Sequence, residues 1–178
     1  MAYEEKTLSS QIVYEGPVFS VRKHIVSTVS GGQSVRDIIE HSGGAIMVAV
    51  SANGKILMEK QYRKAFECDM LELPAGKADP GEVPEVTAAR ELSEETGYTA
   101  HDVRHLISFY PTCGYSNEYL HIYICKDLTE GERHLDKDEC IDLNWYDTEE
   151  LIDLIRKGEI KDGKTIIGIL FARQAGEI

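Results

Sequence analysis

The chain has 178 residues, enough for one sizeable core with or without a small appendage, and a formal net charge of −12 from 31 acidic against 19 basic residues. No Lys/Arg cluster is dense enough to follow a phosphate backbone, so nucleic acids and anionic membranes are not expected partners, and a small anionic substrate needs cations at its site. The apolar runs 45–50 and 166–172 are too short to span a bilayer, the N-terminus has no signal-peptide pattern, and Cys68, Cys113, Cys125 and Cys140 lack zinc-type spacing, which together predict a cytoplasmic protein with reduced thiols.

From Ser10 to about His41 the sequence alternates as strands do, with turns at Glu15-Gly16-Pro17 and Ser30-Gly31-Gly32, and predicts a small antiparallel sheet. Gly43-Gly44 marks a boundary, giving an N-terminal β-sheet segment (1–42) and a main domain (43–178). Segments 45–50 and 55–61 flank Asn53-Gly54, a strong hairpin signal. A short strand at 71–73 leads into the loop Pro74-Ala75-Gly76. After the turn Asp79-Pro80-Gly81 a helix is expected, with Pro84 in its first turn and Gly97 at its C′ position. Strands follow at 104–110, 119–125 and 141–146, separated by polar loops at 111–118 and 127–139. Two further helices cover 148–157 and 165–174, the last with Ile166, Ile167, Leu170 and Phe171 as its core stripe. Strands and helices are interspersed, a mixed α/β (α+β) pattern.

On a 3.6-residue period, Glu91 and Glu95 stand one above the other with Glu94 beside them, while Val86, Ala89 and Leu92 fall on a different side expected to face the core. The ordinary reading of such a block is a solvated acidic face. Like charges at i,i+4 oppose one another, however, and the only cation among them is Arg90. A hard divalent cation removes that repulsion, and Mg2+ in particular takes one or two carboxylates and completes its shell with water and phosphate oxygens. The six histidines show no ligand spacing.

The stretch Gly76 to Tyr98, with Glu82, Arg90, Glu91, Leu92, Glu94, Glu95 and Gly97 at fixed intervals, resembles the Nudix box. Tyr98 stands where that pattern prefers an aliphatic residue. The runs 13–21, 61–63, 71–76, 114–118 and Asp138 to Leu143 are similar to the ADP-ribose pyrophosphatase branch of the family. One mark of that branch is absent: Cys113 occupies a position where a proline is usual. The resemblance implies the Nudix fold, a mixed β-sheet sandwiched between helices, with the small N-terminal antiparallel sheet exchanged between subunits of a homodimer.

It also implies roles. Glu91, Glu95 and the carbonyl of Ala75 would ligate Mg2+, with Mn2+ as a substitute, and Glu94 would be a further ligand or hold a bound water. Arg90 would orient the glutamates, and Glu139 would act as base or position the attacking water. Arg36 and Arg63 would meet the diphosphate or terminal ribose, Glu72 and Glu118 the ribose hydroxyls or an outer metal contact, and Phe19 the adenine. For each cation the plain alternative is a surface salt bridge, for each glutamate an exposed side chain, and for Phe19 a core position on a strand. The implied activity is hydrolysis of a nucleoside diphosphate linked to another moiety, ADP-ribose giving AMP and ribose 5-phosphate. Other readings are a nucleotide sugar or nucleoside triphosphate as substrate, or a non-catalytic ADP-ribose-binding module.

Overall fold

A computed structural model describes residues 3–135, 137 and 139–178, so Asp138 lies outside the described residues. The chain forms two compact units, one made of the chain up to Gly43 together with Tyr110–Tyr119, the other of Gly44–Phe109 and Leu120–Ile178.

In the N-terminal unit, β1 (Thr7–Glu15), β2 (Ser20–Ser27) and β3 (Gln33–Glu40) form an antiparallel sheet in that order, as the alternation predicted. Residues 110–119 close against β3, where Ile39 donates its N–H to the carbonyl of Tyr115 and accepts from Asn117. Every residue of β1 is exposed, including Leu8, Ile12, Val13 and Tyr14.

The larger unit contains two sheets. In the first, β7 (Ala75–Lys77), β4 (Gly44–Ala49), β9 (Leu120–Glu130) and β8 (Tyr98–Phe109) lie side by side, with β4 and β9 parallel and the other pairs antiparallel. The second has the order β10 (Ile141–Tyr146), β5 (Ile56–Arg63), β6 (Cys68–Glu72), all antiparallel. Strand β4 is buried on both faces. Its Ile46 and Val48 pack with Ile122, Ile124 and the helices α2 (Thr148–Arg156) and α3 (Gly163–Gln174), through Leu151, Ile152, Ile169 and Ala172. Its Ala45, Met47 and Ala49 pack instead with Ala88 and Leu92 of α1 (Pro84–Thr96). The two-residue period of one strand thus serves two cores, the sandwich that the family resemblance implied.

Three local expectations are corrected. The Asn53-Gly54 turn forms, with Gly54 at φ +81° and Ser51 bonded to Lys55, but β4 and β5 diverge after the single bridge Val50–Ile56 and join different sheets. Both strands carry continuous apolar runs, and each is buried more completely between other strands and helices than in a shared hairpin. On α1, Val86 is 55 % exposed and Ala89 is also exposed; the inner face is Thr87, Ala88, Leu92, Glu95 and Thr96. On α3 the fully buried face is Thr165, Gly168, Ile169 and Ala172; of the expected stripe, Ile166 and Ile167 pack partly buried against the core, while Leu170 points outward. Gly168 lets the helix approach Leu73, which a Cβ there would strike.

Candidate active site

The box helix starts and stops where its residues dictate. Pro84 occupies the first turn, where its missing N–H costs nothing, and Gly97 takes φ +76° and returns its N–H to the carbonyl of Ser93 at 2.9 Å. One arginine binds the helix to the preceding loop. Arg90 donates through Nε to Glu82 Oε1 (3.0 Å), through Nη2 to Glu82 Oε2 (2.9 Å) and to the carbonyl of Lys77 (3.2 Å), and through Nη1 to Glu91 Oε1 (2.8 Å) and Glu94 Oε2 (2.9 Å). Glu82 also accepts from Thr87 Oγ1 and the N–H of Asp79, and the Arg90 bonds lead in holding its carboxyl down to about 2. The arginine therefore fixes the Glu91 and Glu94 carboxylates in place.

On the inner side, the N–H of Ala75 donates to Glu95 Oε2 at 3.2 Å. The next residue, Gly76, leaves room for the Glu91 carboxylate, into which a Cβ would run. Ala75, Glu91 and Glu95 are thereby brought together where β7 passes the helix. Glu95 is only 6 % exposed; burial raises its proton affinity, and the charges of Glu59, Glu91 and Glu139 raise it further. Burial also raises Glu91, with the Arg90 bond opposing. Glu139 is close enough that its charge acts on Glu59, Glu91 and Glu95 alike. Glu94 is the most exposed of the three helix carboxylates, with 44 % of its side chain accessible.

Arg63 and Glu72 pair across β5 and β6 through two bonds of 2.8 and 2.9 Å, and Lys164 of α3 reaches the same carboxylate. Burial works to raise Glu72, but Arg63 and Lys164 outweigh it and hold the carboxyl below its ordinary range. Arg63, Glu72 and Lys164 line a cavity of about 450 Å³ together with Tyr62 and Phe66. Arg63 is thus no free surface cation, and Glu72 is no exposed glutamate.

The other three expected residues lie in the N-terminal unit. Arg36 is held by Glu5 through Nε (3.0 Å) and Nη2 (2.5 Å), Glu118 stands 3.6 Å from His41 Nδ1, and Phe19 sits in the turn after β1, 38 % exposed, with its ring 5.6 Å from that of Tyr14.

Sequence reasoning missed Glu59 and Lys164. Glu59 follows the apolar run Ile56-Leu57-Met58, is 0 % exposed, and has no hydrogen-bond partner among the described residues for either oxygen. A charged residue ending a buried strand is the one signal that could have marked it. Lys164 carried none, since Glu72, the carboxylate it shares with Arg63, lies 92 positions away.

These residues suit a hard divalent cation. Glu59 and Glu95 are buried carboxylates, and the nearby cations Arg63 and Lys164 are committed to Glu72 and Arg90 to the box glutamates. Among the described residues no three His, Cys, Asp or Glu side chains already stand in a metal cage. The donors are all oxygens, and an open site needs only one or two carboxylates with water and substrate oxygens.

The NUDIX domain profile matches residues 41–167. This chain belongs to the Nudix hydrolases. The Nudix match spans the box and both sheets that position it, and enzymes of this family generally use divalent metals. Similar curated proteins include the ADP-ribose pyrophosphatase of Bacillus subtilis, 38 % identical over 94 % of this chain and 92 % of that protein, and that of Mycobacterium tuberculosis, 35 % identical over 94 % and 83 %. The methanol dehydrogenase activator of Bacillus methanolicus is 38 % identical over 95 % and 92 %. A crystal structure of an ADP compounds hydrolase shares the Nudix architecture with a TM-score of 0.86 at 20 % identity, over 98 % of this chain and 95 % of that one. No helix among the described residues is long and apolar enough to cross a membrane.

Proposed function

We propose that this Nudix enzyme hydrolyses the diphosphate of ADP-ribose to AMP and ribose 5-phosphate in the presence of Mg2+. The observation that carries this reading is the gathering of Ala75, Glu91 and Glu95 at Gly76, in a chain that aligns over more than nine-tenths of its length with two ADP-ribose pyrophosphatases.

Glu91, Glu95 and the Ala75 carbonyl would hold the cation, with Glu94 nearest the water that completes the shell. When bound, Mg2+ supplies positive charge to the diphosphate oxygens and acidity to the attacking water. The protein's own contribution is positional. Arg90 keeps Glu91 and Glu94 in register, and Glu139 accepts the proton of the attacking water. Arg63, already beside the cavity, offers its outer N–H groups to the diphosphate while Glu72 holds it in place. Arg36, Glu118 and Phe19 serve the ribose and adenine in the same proposal, which requires Arg36 to exchange Glu5 for substrate.

We also propose a homodimer built on the N-terminal sheet. The exposed Leu8, Ile12, Val13, Tyr14 and Val18, on and beside β1, supply apolar side chains that such a dimer would cover. The four free cysteines fit a reducing compartment such as the cytoplasm.

The test is a Mg2+-dependent hydrolysis screen over ADP-ribose, nucleotide sugars, dinucleoside polyphosphates and nucleoside triphosphates, with products resolved by chromatography. AMP formed fastest from ADP-ribose supports the reading. A faster reaction with a nucleotide sugar or triphosphate would move the substrate assignment to that class, a direction in which Cys113 points.

A further inference from the structure

Strand β5 sends alternate side chains to opposite cores. Ile56 and Met58 join the cluster under α2 and α3, while Leu57 joins Ala88 and Leu92 under α1. Glu59 comes two residues after Leu57 and shares its face, so it points toward the α1 side, one turn beyond Leu92, where Glu95 enters. Its neighbours across the sheet are Glu72 on β6 and Leu143 on β10.

None of these neighbours satisfies it. Leu143 is apolar, and Glu72 is a second carboxylate whose charge is answered by Arg63 and Lys164. Both Glu59 oxygens are sealed from solvent without a hydrogen bond among the described residues. A proton on either would therefore have no acceptor to bind, and an unprotonated carboxylate would be an unpaired buried charge. An apolar residue would suit the strand pattern better. A cation shared with the helix glutamates resolves both difficulties, because Glu59, on the face of β5 that meets α1, is near enough for its charge to act on Glu95.

Resting on the proposed metal-dependent activity, we infer that Glu59 is a further ligand of the divalent cation, supplied by β5 from outside the box. The three torsions of its side chain allow it to swing the remaining distance to a cation held by Glu91 and Glu95. The site is then a nest of carboxylates from two elements, a strand floor and a helix wall, rather than the helix face alone.

The experiment compares the wild-type chain with Glu59→Gln, which keeps the shape, and Glu59→Leu, which fits the apolar face of β5. Mg2+ and Mn2+ binding is measured by titration calorimetry without substrate, and the melting of the metal-free proteins confirms folding. Cation affinity is expected to fall at least about tenfold in both variants, with the metal-free melting temperature of Glu59→Leu equal to or above wild type. Wild-type affinity and stoichiometry in both variants would overturn this inference alone. Failure of the wild-type chain to bind either cation would overturn the proposed function together with it.

Discussion

Arg90 and Glu82 are joined by two parallel hydrogen bonds of 3.0 and 2.9 Å, and the same guanidinium holds Glu91 and Glu94 with its third nitrogen. The loop before the helix thus anchors the side chain that aims the helix glutamates. Replacing Glu82 by Ala leaves Arg90 free to collapse onto Glu91. We expect kcat to fall by about 10- to 100-fold, the range for partners that orient metal ligands, with KM little changed and the fold retained. Steady-state kinetics and circular dichroism check this.

Gly76→Ala is expected to be costly despite its size. The added methyl has no position that avoids the Glu91 carboxylate, so the carboxylate must move. Cation affinity, read by calorimetry, should drop by about tenfold or more, while the melting temperature of the metal-free protein changes little.

Glu95→Gln keeps the volume and the acceptor for the Ala75 N–H but removes a ligand charge. Turnover is expected to fall by at least about 100-fold. Near wild-type turnover at saturating Mg2+ would remove Glu95 from the metal site.

The metal-free protein should lose stability as pH rises. Glu59 and Glu95 have folded-state proton affinities raised above the ordinary carboxylate value of 4.5, chiefly by burial. Below that value both states are protonated and the two glutamates contribute no pH dependence. Above it the folded state binds more protons than the unfolded state, so unfolding becomes easier with each step in pH until the folded carboxyls ionise. Melting of the metal-free chain at pH 5.5 and pH 8.5 should show the lower midpoint at pH 8.5. Saturating Mg2+ should narrow the difference, since the cation competes with those protons. A midpoint rising with pH would contradict the buried-carboxylate geometry.

Part of the candidate site's geometry could be seen in the residues themselves. Pro84 and Gly97 bracket the helix because each has a backbone preference that acts locally, and Glu91 and Glu95 share a face because the helical period is fixed. What faced inward was less legible. Val86, Ala89 and Leu92 offered one apolar stripe and Ala88 and Leu92 another, and only the position of the sheet selects between them. The Asn53-Gly54 turn was correctly placed, yet a turn governs only its own few residues and could not say that β4 and β5 would part. Glu59 and Lys164 acquire meaning from strand pairing and from a helix packed far away in sequence, neither of which has a local signature.

Residues 110–119 leave the larger unit after β8 and return to it at β9, having bonded meanwhile to Ile39 and His41 of the N-terminal unit. The smaller unit is consequently built from two separate stretches of the chain. A fragment starting at residue 44 would keep this excursion but lose the backbone it bonds to, removing the partners of the Tyr115 carbonyl and of Asn117. Shortening this protein to its larger unit therefore cannot be done with a single cut; the excursion has to be bridged as well.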